Sequence, residues 1–278
     1  MIGITGATGQ IGGRVARLLA AESRTQRLVV RDPARAPELP GAETAQASYG
    51  DHHALLNALD GIETLLMVSA AESADRLSLH QATIDAAVAA GVRRIVYTSF
   101  LNAAPDSTFT LARDHWHTEQ HLRAAGVEFT FLRDSLYLDF LPDMVGEDDT
   151  IRGPAGEGRV GAVARADVAD VAARVLTSEG HAGRSYDLTG PEAMTMAEVA
   201  ALLTQAWGRP IKYHAETLDE AYRSRERYGA PSWEVAGWVT SYAAVASGEL
   251  ATVSGDVEAL TGRPPLSLAA YLKNVDEG

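Results

Sequence analysis

Three glycines at three-residue intervals follow the first hydrophobic segment of this chain. Residues 1–5 (MIGIT) have the apolar character of a buried strand, and a helical pattern covers residues 10–21. Gly6 can adopt the backbone of a tight turn, Gly9 leaves the main chain open to close approach, and Gly12 lets a helix pack tightly on a strand. The pattern therefore predicts a strand, a bare turn and a helix that packs on that strand.

A bare turn in front of a helix favours an anionic ligand. The first N–H groups of a helix have no acceptor within it, and the helix dipole adds a partial positive charge at that end. The spacing G-x-x-G-x-x-G is one residue longer than the dinucleotide-binding fingerprint between its first two glycines, so a purely structural turn is the alternative. The place of these glycines at a strand–helix junction favours the pyrophosphate of a dinucleotide.

Short apolar segments and longer helical patterns alternate along the chain. This order predicts an α/β fold, a Rossmann-type doubly wound parallel sheet with helices on both faces. We assign residues 1–133 to an NAD(P)-binding core. Residues 134–278 are expected to complete that core and to form a smaller, mostly helical substrate-binding region with a lid, within a single compact unit. The predicted strands of the core are residues 1–5, 28–31, 43–47, 64–70, 93–99 and 127–133.

After residue 133 the regular alternation of strand and helix patterns ends. Residues 142–159 are rich in glycine, proline and charge, which predicts a loop excursion. Helical patterns cover residues 165–180 and 195–208, and the second of these begins with a capping box of Thr195 and Glu198. Further helices are predicted over residues 54–61, 74–90, 111–125 and 217–248 and at the end of the chain.

The end of the second predicted strand bears on the choice of dinucleotide. In an NAD-binding Rossmann unit an acidic residue at this point binds the ribose 2′-OH, whereas a cation suits a 2′-phosphate. Arg31 occupies the strand end here, and Arg35 follows it closely. We therefore favour NADP(H), and Asp32 keeps NAD(H) open.

Composition excludes several classes of protein. The chain contains no cysteine, which rules out disulfides, thiolate metal sites and cysteine nucleophiles. The net charge of −13 repels nucleic acid, and the apolar segments are too short to cross a bilayer. We expect a cytoplasmic protein without a signal peptide, with no nucleic-acid or membrane partner and no metal site. His117 and His121 have metal-ligand spacing, but no third ligand accompanies them.

Five segments carry a family resemblance. TGATGQIG, VVRDP, YGD, VYTS and HWHTEQHLRAAGVEFTFLR occur in this order. Together they resemble the NmrA-like branch of the atypical short-chain dehydrogenases/reductases, and within it the bacterial NADPH-dependent quinone oxidoreductase group. The resemblance extends from Met1 to about Pro210.

The resemblance implies a role for particular residues. Gly6, Thr8, Gly9, Gln10 and Ile11 would line the pyrophosphate, Arg31 would meet the adenosine phosphate, and Asp51 would lie near the adenine. Ser69 and Ala70 would pass along the cofactor ribose, and Thr98 and Ser99 would end the fifth strand near the nicotinamide. Tyr137 would face the nicotinamide or the substrate. Tyr97, Phe100, Trp116 and Tyr137 would suit a wall for a flat substrate, and core packing explains aromatic residues equally well.

The chain departs from the wider superfamily in its proton relay. Typical members carry a Tyr-x-x-x-Lys pair, in which the lysine lowers the tyrosine pKa. Here Leu111 aligns with the tyrosine and His115 with the lysine. The quinone oxidoreductase group also has a histidine at this position, so His115 is a candidate to hydrogen-bond or protonate the acceptor, or to bind the nicotinamide ribose. A second departure is Asp134, where that group usually has Asn.

These features predict an NAD(P)H-dependent oxidoreductase. We expect His115 and Tyr137 to be its catalytic residues and hydride transfer to a quinone or a related flat aromatic carbonyl compound to be its reaction. Tailoring of polycyclic aromatic natural products is a narrower form of this expectation. The alternative is a non-catalytic redox sensor of the NmrA type that binds NAD(P) and regulates a partner protein. A homodimer is a further expectation.

Overall fold

Strands and helices alternate from the first residues onward in the computed structural model, which describes residues 1–276. The strands are β1 (Ile2–Thr5), β2 (Gln26–Val30), β3 (Ala42–Gln46), β4 (Thr64–Met67), β5 (Arg94–Phe100), β6 (Glu128–Asp134), β7 (Thr150–Gly153), β8 (Arg159–Val160), β9 (Arg184–Leu188), β10 (Met194–Thr195) and β11 (Lys212–Ala215). The helices are α1 (Gln10–Ala21), α2 (His52–Leu59), α3 (Arg76–Ala89), α4 (Thr110–Ala124), α5 (Arg165–Thr177), α6 (Met196–Trp207), α7 (Leu218–Arg225), α8 (Ser232–Ala246), α9 (Asp256–Thr261) and α10 (Leu268–Asp276).

The main sheet has the strand order β3-β2-β1-β4-β5-β6-β9. The pairs β1–β2, β1–β4, β2–β3 and β4–β5 are parallel. The order reverses between β1 and β4, which is the topological switch point where doubly wound sheets bind their ligands. The predicted Rossmann-type α/β fold is confirmed.

Helices cover the sheet because its strands alternate their apolar side chains between two faces. On one face, α2, α3 and α4 pack against β4 and β5. This cluster includes Leu55, Leu59, Ile84, Leu122, Leu65, Met67, Ile95 and Tyr97, all fully buried. The helices α1 and α5 pack together, and α5 contacts β4 and β5.

Local signals set several element ends. The Asp51 carboxylate accepts a hydrogen bond from the N–H of Ala54 and caps α2, so that this helix begins at His52, before the predicted residue 54. The strand β4 ends at Met67, before the predicted residue 70, because the N–H groups of Ser69 and Ala70 bind side chains. The predicted capping box at α6 is present, with Thr195 and Glu198 each accepting from the other's backbone.

The chain groups into two compact units that are interleaved along the sequence. The first unit comprises residues 1–100, 114–133 and 165–186, and the second comprises residues 101–113, 134–164 and 187–278. The expected division into residues 1–133 and 134–278 stays a prediction. The grouping differs from it because α5 joins the first unit and residues 101–113 join the second.

The second unit holds two small sheets and most of the later helices. The strand β7 pairs in parallel with β11, and β8 pairs in antiparallel fashion with β10. The prediction of a loop over residues 142–159 is therefore wrong at β7 and at the start of β8. Its glycines serve close packing here, since a Cβ atom at Gly153 would collide with the Tyr242 ring and one at Gly158 with the Val245 carbonyl oxygen.

None of the helices within residues 1–276 combines the length and the hydropathy needed to cross a membrane.

Candidate cofactor and active site

The glycine turn joins β1 to α1 in the first unit. Gly6 has a φ of 64°, a left-handed conformation that glycine adopts at little cost. Its carbonyl accepts a hydrogen bond of 2.9 Å from the N–H of Gly9, which closes the turn. Gly9 is the N-cap residue of α1 and supplies no side-chain cap. The first N–H groups of the helix are therefore left without a side chain that would satisfy them.

Gly12 fixes how closely the helix approaches the strand. A Cβ atom at this position would lie 2.5 Å from the carbonyl oxygen of Gly6 and 2.9 Å from that of Thr5. Neither backbone atom can move without opening the turn, so a side chain is excluded here. The side of α1 at Ile11 is buried, whereas Thr8, Gly9 and Gln10 are exposed. This bare, exposed backbone with open N–H groups fits the diphosphate of a dinucleotide.

Two charged residues follow the end of β2. Arg31 is exposed, and its guanidinium has no ion-pair partner among the side chains that the structure describes, residues 1–273. The Asp32 carboxylate accepts a hydrogen bond of 3.1 Å from the N–H of Ala34, which closes a short turn. The cation at the strand end is thus accessible, while the neighbouring carboxylate serves the local backbone.

A buried arginine lies after β4, on the first turn of α3. The Arg76 side chain is 5% exposed. Its Nε donates to the carbonyl of Ala70 at 3.0 Å, and its Nη2 donates to Nε2 of His115 at 2.9 Å. Nη1 has no hydrogen-bond partner among the described residues, and the nearest carboxylate oxygen, Oδ2 of Asp114, is 3.8 Å away. Arg76 is therefore a desolvated cation with one uncommitted donor.

The contact with Arg76 determines the tautomer of His115. A guanidinium only donates, so Nε2 accepts and a neutral imidazole carries its hydrogen on Nδ1. Nδ1 lies 2.9 Å from the hydroxyl oxygen of Tyr97, to which it donates. Burial, with the nearby Arg76 cation and His80, holds the pKa of His115 well below its usual value. His115 is thus a neutral side chain with both nitrogens bound.

A second buried histidine extends the network. Nε2 of His80 accepts from the N–H of Ala70 at 2.8 Å, so its hydrogen lies on Nδ1 and points to the Thr118 hydroxyl at 3.0 Å. Thr118 in turn donates to the carbonyl of Asp114 at 2.7 Å. Burial and the Arg76 cation lower the pKa of His80 to about 3. The segment after β4 is therefore held by side chains of α3 and α4 through a chain of oriented hydrogen bonds.

The end of β5 is tied to the same segment and to α4. The Thr98 hydroxyl accepts from the N–H of Ser69 at 2.8 Å. Ser99 donates to Oε1 of Glu119 at 2.7 Å, and Glu119, fully buried, accepts two bonds of 2.9 and 2.7 Å from Arg133. Thr98 and Ser99 are themselves buried. Their hydroxyl groups thus position backbone and a buried ion pair, and their predicted contacts with the nicotinamide stay predictions.

In the second unit, Tyr137 and Asp134 form a polar pair. The Tyr137 hydroxyl donates to Oδ2 of Asp134 at 2.9 Å. Asp134 is 1% exposed, and burial raises the pKa of its carboxyl to about 8, although the bond from Tyr137 lowers it. Leu111, where the wider superfamily has its tyrosine, is a buried apolar residue in the same unit.

Comparison with known proteins identifies the family. A model of the NAD(P)H-binding family matches residues 6–179, from the glycine turn to the end of α5. This chain belongs to that NAD(P)H-binding family.

Relatives of known activity match along the whole chain. Quinone oxidoreductase 2 of Escherichia coli is 36% identical over 99% of this chain and 100% of the relative. The NAD(P)H azoreductase of Xenophilus azovorans is 34% identical over 98% and 97%. The resemblance to the quinone oxidoreductase group and the predicted NAD(P)(H) cofactor are confirmed.

Solved structures are also similar to this chain over nearly its whole length. Quinone oxidoreductase 2 of Escherichia coli complexed with NADPH has a TM-score of 0.90 at 35% identity, covering 99% of this chain and 100% of that chain. Triphenylmethane reductase of Citrobacter sp. complexed with NADP(H) has a TM-score of 0.87 at 30% identity, covering 99% of both. This member of the NAD(P)H-binding family is an NAD(P)H-dependent oxidoreductase of the quinone and azo reductase type.

The structure brings only part of the predicted site together. His115, Tyr97 and Ala70 meet in one network, with Tyr97 fully buried. Sequence reasoning missed Arg76 and His80, which hold that network together. Arg76 and His80 are four residues apart at the start of a helix that follows a buried strand. This spacing was the one sequence signal that could have indicated them. His121 pairs instead with Asp85, at 2.7 Å.

Proposed function

We propose that this oxidoreductase transfers a hydride from NADPH to a quinone or to a related flat, electron-poor aromatic acceptor. The names of the three relatives refer to quinones, azo compounds and triphenylmethane compounds, which are all conjugated systems. Conjugation spreads the charge that hydride addition creates, so the product anion is a weak base. Such an acceptor needs less help from a strong proton donor than a simple ketone does.

The observation that carries this proposal is the buried Leu111. An apolar side chain replaces the tyrosine that protonates an alkoxide in typical short-chain dehydrogenases. The lysines of the chain are Lys212 and Lys273, and neither lies four residues after a tyrosine. Reduction of a simple carbonyl compound to an alcohol therefore lacks its usual relay, whereas reduction of a quinone does not depend on it.

The chain's own residues would hold the cofactor as the sequence predicts. The N–H groups at the start of α1, with Gly6 and Gly9, suit the diphosphate, and Arg31 suits the 2′-phosphate of NADPH. Asp32, whose carboxylate binds the N–H of Ala34, supports the same preference because it is engaged locally. When bound, the nicotinamide supplies the hydride.

The buried Arg76 supports charge stabilisation at the acceptor. A preorganised cation in a desolvated site stabilises developing negative charge more strongly than it would in water. We infer that His115 acts chiefly by fixing this guanidinium, since its Nε2 accepts from Nη2. Direct proton donation by His115, as the sequence predicts, requires that one of its two bonds first be released, because Nε2 accepts from Arg76 and the hydrogen on Nδ1 is donated to Tyr97.

NADPH oxidation with a panel of acceptors tests the proposal. The panel contains benzoquinones, naphthoquinones, a polycyclic aromatic quinone, an azo dye and an aliphatic ketone. We expect turnover with the conjugated acceptors and none with the ketone, and preference for the polycyclic quinone would support the narrower role in natural-product tailoring. Tight binding of NADPH with no turnover on any acceptor would contradict the proposal and favour the redox sensor.

A further inference from the structure

Tyr49 is bound at the switch point of the sheet, although it lies outside the strands and outside the glycine turn. It belongs to the connection between β3 and α2. Its hydroxyl oxygen lies 2.5 Å from Oγ1 of Thr5, the last residue of β1. The same hydroxyl donates to the carbonyl oxygen of Val68, one residue beyond the end of β4. One side chain therefore contacts the ends of both strands that flank the switch point.

The three residues form a closed ring of hydrogen bonds. The Val68 N–H donates to Oγ1 of Thr5 at 3.0 Å, and the Val68 carbonyl accepts from Tyr49. Because the Tyr49 hydrogen is used in that bond, the Tyr49 oxygen accepts from the Thr5 hydroxyl. The Leu66 carbonyl, a second acceptor near Thr5, is farther away at 3.2 Å. Burial raises the pKa of Tyr49 above its usual value, so the hydroxyl keeps its hydrogen well above neutral pH.

The ring takes over where the pairing of the two strands stops. The strands β1 and β4 pair from Ile2 with Thr64 to Ile4 with Leu66. Beyond this register, the N–H groups of three successive residues donate to side chains: Val68 to Thr5, Ser69 to Thr98 and Ala70 to His80. The position of residues 68–70 is therefore set by these side chains and not by the sheet.

Two segments that are expected to bind the cofactor begin at this ring. The glycine turn starts at Gly6, directly after Thr5, and the segment predicted to pass along the cofactor ribose starts at Ser69, directly after Val68. A Cβ atom at Gly6 would lie 3.2 Å from Cβ of Val68, so the two segments pack closely. Ligands of doubly wound sheets bind in the crevice at the switch point, where a dinucleotide would contact both segments at once.

We propose that Tyr49 is a positioning residue for the dinucleotide, and that its ring with Thr5 and Val68 sets the spacing between the glycine turn and the segment after β4. This inference rests on the proposed function, because it requires the glycine turn to hold the diphosphate. Tyr49 acts through these two segments and not by touching the cofactor. A ligand gains most from two contacts when both are in place before it binds, and a misplaced reacting group loses rate steeply.

The experiment removes the hydroxyl groups of the ring one at a time, in Tyr49→Phe and Thr5→Val. The matched control is Tyr186→Phe, since the Tyr186 hydroxyl also binds a side chain, with its oxygen 2.7 Å from Nδ1 of His181. Tyr186 belongs to β9, three strands away from β4 in the same sheet. Its variant makes the same chemical change away from the switch point.

Binding of a whole and of a partial cofactor separates positioning from general stability. Dissociation constants are measured for NADPH and for 2′-phospho-ADP, which has the diphosphate and the adenosine phosphate but no nicotinamide half. We expect Tyr49→Phe to weaken NADPH binding by about tenfold and 2′-phospho-ADP binding by less than about twofold, because only the whole cofactor spans both segments. Tyr186→Phe should change neither constant.

Hydrogen exchange in the cofactor-free protein tests the ring directly. The Val68 amide should exchange about tenfold faster or more in Tyr49→Phe and in Thr5→Val, and at the rate of the wild type in Tyr186→Phe. The double variant of Tyr49→Phe and Thr5→Val completes a cycle. Since both hydroxyl groups belong to one ring, the double variant should bind NADPH as weakly as the weaker single variant and no more weakly.

The outcomes distinguish the positioning role from the proposed function. Unchanged NADPH affinity in Tyr49→Phe, equal losses for NADPH and 2′-phospho-ADP, additive losses in the double variant, or unchanged exchange at Val68 would each overturn the role of Tyr49 and leave the proposed function standing. If the wild type binds no NADPH, the proposed function is wrong and the positioning role is wrong with it.

Discussion

The Nη2 atom of Arg76 lies 2.9 Å from Nε2 of His115, and both side chains are buried. Because the guanidinium can only donate, this contact places the hydrogen of His115 on Nδ1, where it meets the Tyr97 hydroxyl at 2.9 Å. The tautomer of His115 and the position of the arginine are therefore two consequences of one contact, while burial is the main reason that the imidazole is neutral.

Replacing Arg76 tests this coupling. In Arg76→Gln the positive charge is lost, so we expect the pKa of His115 to rise towards its usual value while burial keeps it below that value. We expect kcat/KM for quinones to fall by about tenfold to hundredfold through loss of charge stabilisation. NMR titration of the imidazole and steady-state rates measure the two effects.

Arg76→Lys and Arg94→Gln serve as controls. The lysine keeps the charge and should keep the pKa of His115 low, although it cannot reproduce the bonds to both Ala70 and His115. Arg94 is a half-buried arginine at the start of β5 that donates to the carbonyl of Val175. A loss of acceptor kcat/KM in Arg94→Gln equal to that in Arg76→Gln would mean that stability, and not the site, explains the effect.

A methyl group at Gly12 should separate α1 from β1. Its Cβ would lie 2.5 Å from the Gly6 carbonyl oxygen, so we expect Gly12→Ala to destabilise the fold by about 1–3 kcal/mol. Displacement of the turn should also weaken NADPH binding. Chemical denaturation and fluorescence titration with NADPH measure these effects.

Gly255→Ala is the matched control, since a Cβ atom there has nothing within 4 Å and its φ of −93° suits alanine. Equal stability and equal NADPH affinity in the two variants would show that the close approach at Gly12 does not matter.

The fold of the first unit was accessible from the sequence because its signals are local. The glycine turn, the apolar strands and the helix ends at Gly91 and Gly126 each depend on neighbouring residues, and the strand order follows the usual doubly wound pattern. The small strands of residues 150–160 were not accessible. They depend on pairing with β10 and β11, some 35 to 60 residues away, and on glycines whose role is tertiary packing.

The site was accessible only where a motif marks it. Gly6, Gly9 and Arg31 follow from spacing at strand ends, whereas the partners of His115 do not. Arg76 meets His115 across 39 residues of sequence, and its burial depends on α3 and α4 packing on the same face of the sheet. No spacing rule predicts that an arginine in a first helical turn will be desolvated.

Arg31 should determine the preference for NADPH over NADH. We expect Arg31→Ala to weaken NADPH binding by about tenfold or more, which corresponds to about 1.4 kcal/mol, and to leave NADH binding unchanged. Arg24→Ala removes an exposed arginine close to the opposite end of the same strand and should change neither affinity. If Arg31→Ala leaves the ratio of NADPH affinity to NADH affinity unchanged, Arg31 does not bind the 2′-phosphate.

The buried histidines should make the protein acid-sensitive. Folding lowers the pKa of His80 from 6.5 to about 3, so between these values the unfolded chain binds the proton and stability falls as pH falls. We expect His80→Gln to remove up to about 1.4 kcal/mol per pH unit from this slope. Denaturant titrations at several pH values below 6.5 measure it, and an unchanged slope would mean that His80 is protonated in the folded state.

Asp134 should act in the opposite direction, and its pH window extends above that of His80. Folding raises its pKa from 3.8 to about 8, so between these values the folded protein holds the proton and stability falls as pH rises. From pH 6.5 to about 8 the buried histidines no longer contribute to the pH dependence of stability. In this range the Asp134 carboxyl should lower the free energy of unfolding by up to about 1.4 kcal/mol for each pH unit of increase. Denaturant titrations in this window should show a decline in wild type and in Asp143→Asn, which changes an exposed carboxyl, that is absent in Asp134→Asn. A decline of equal slope in Asp134→Asn would show that this carboxyl is already ionised in the folded protein at neutral pH.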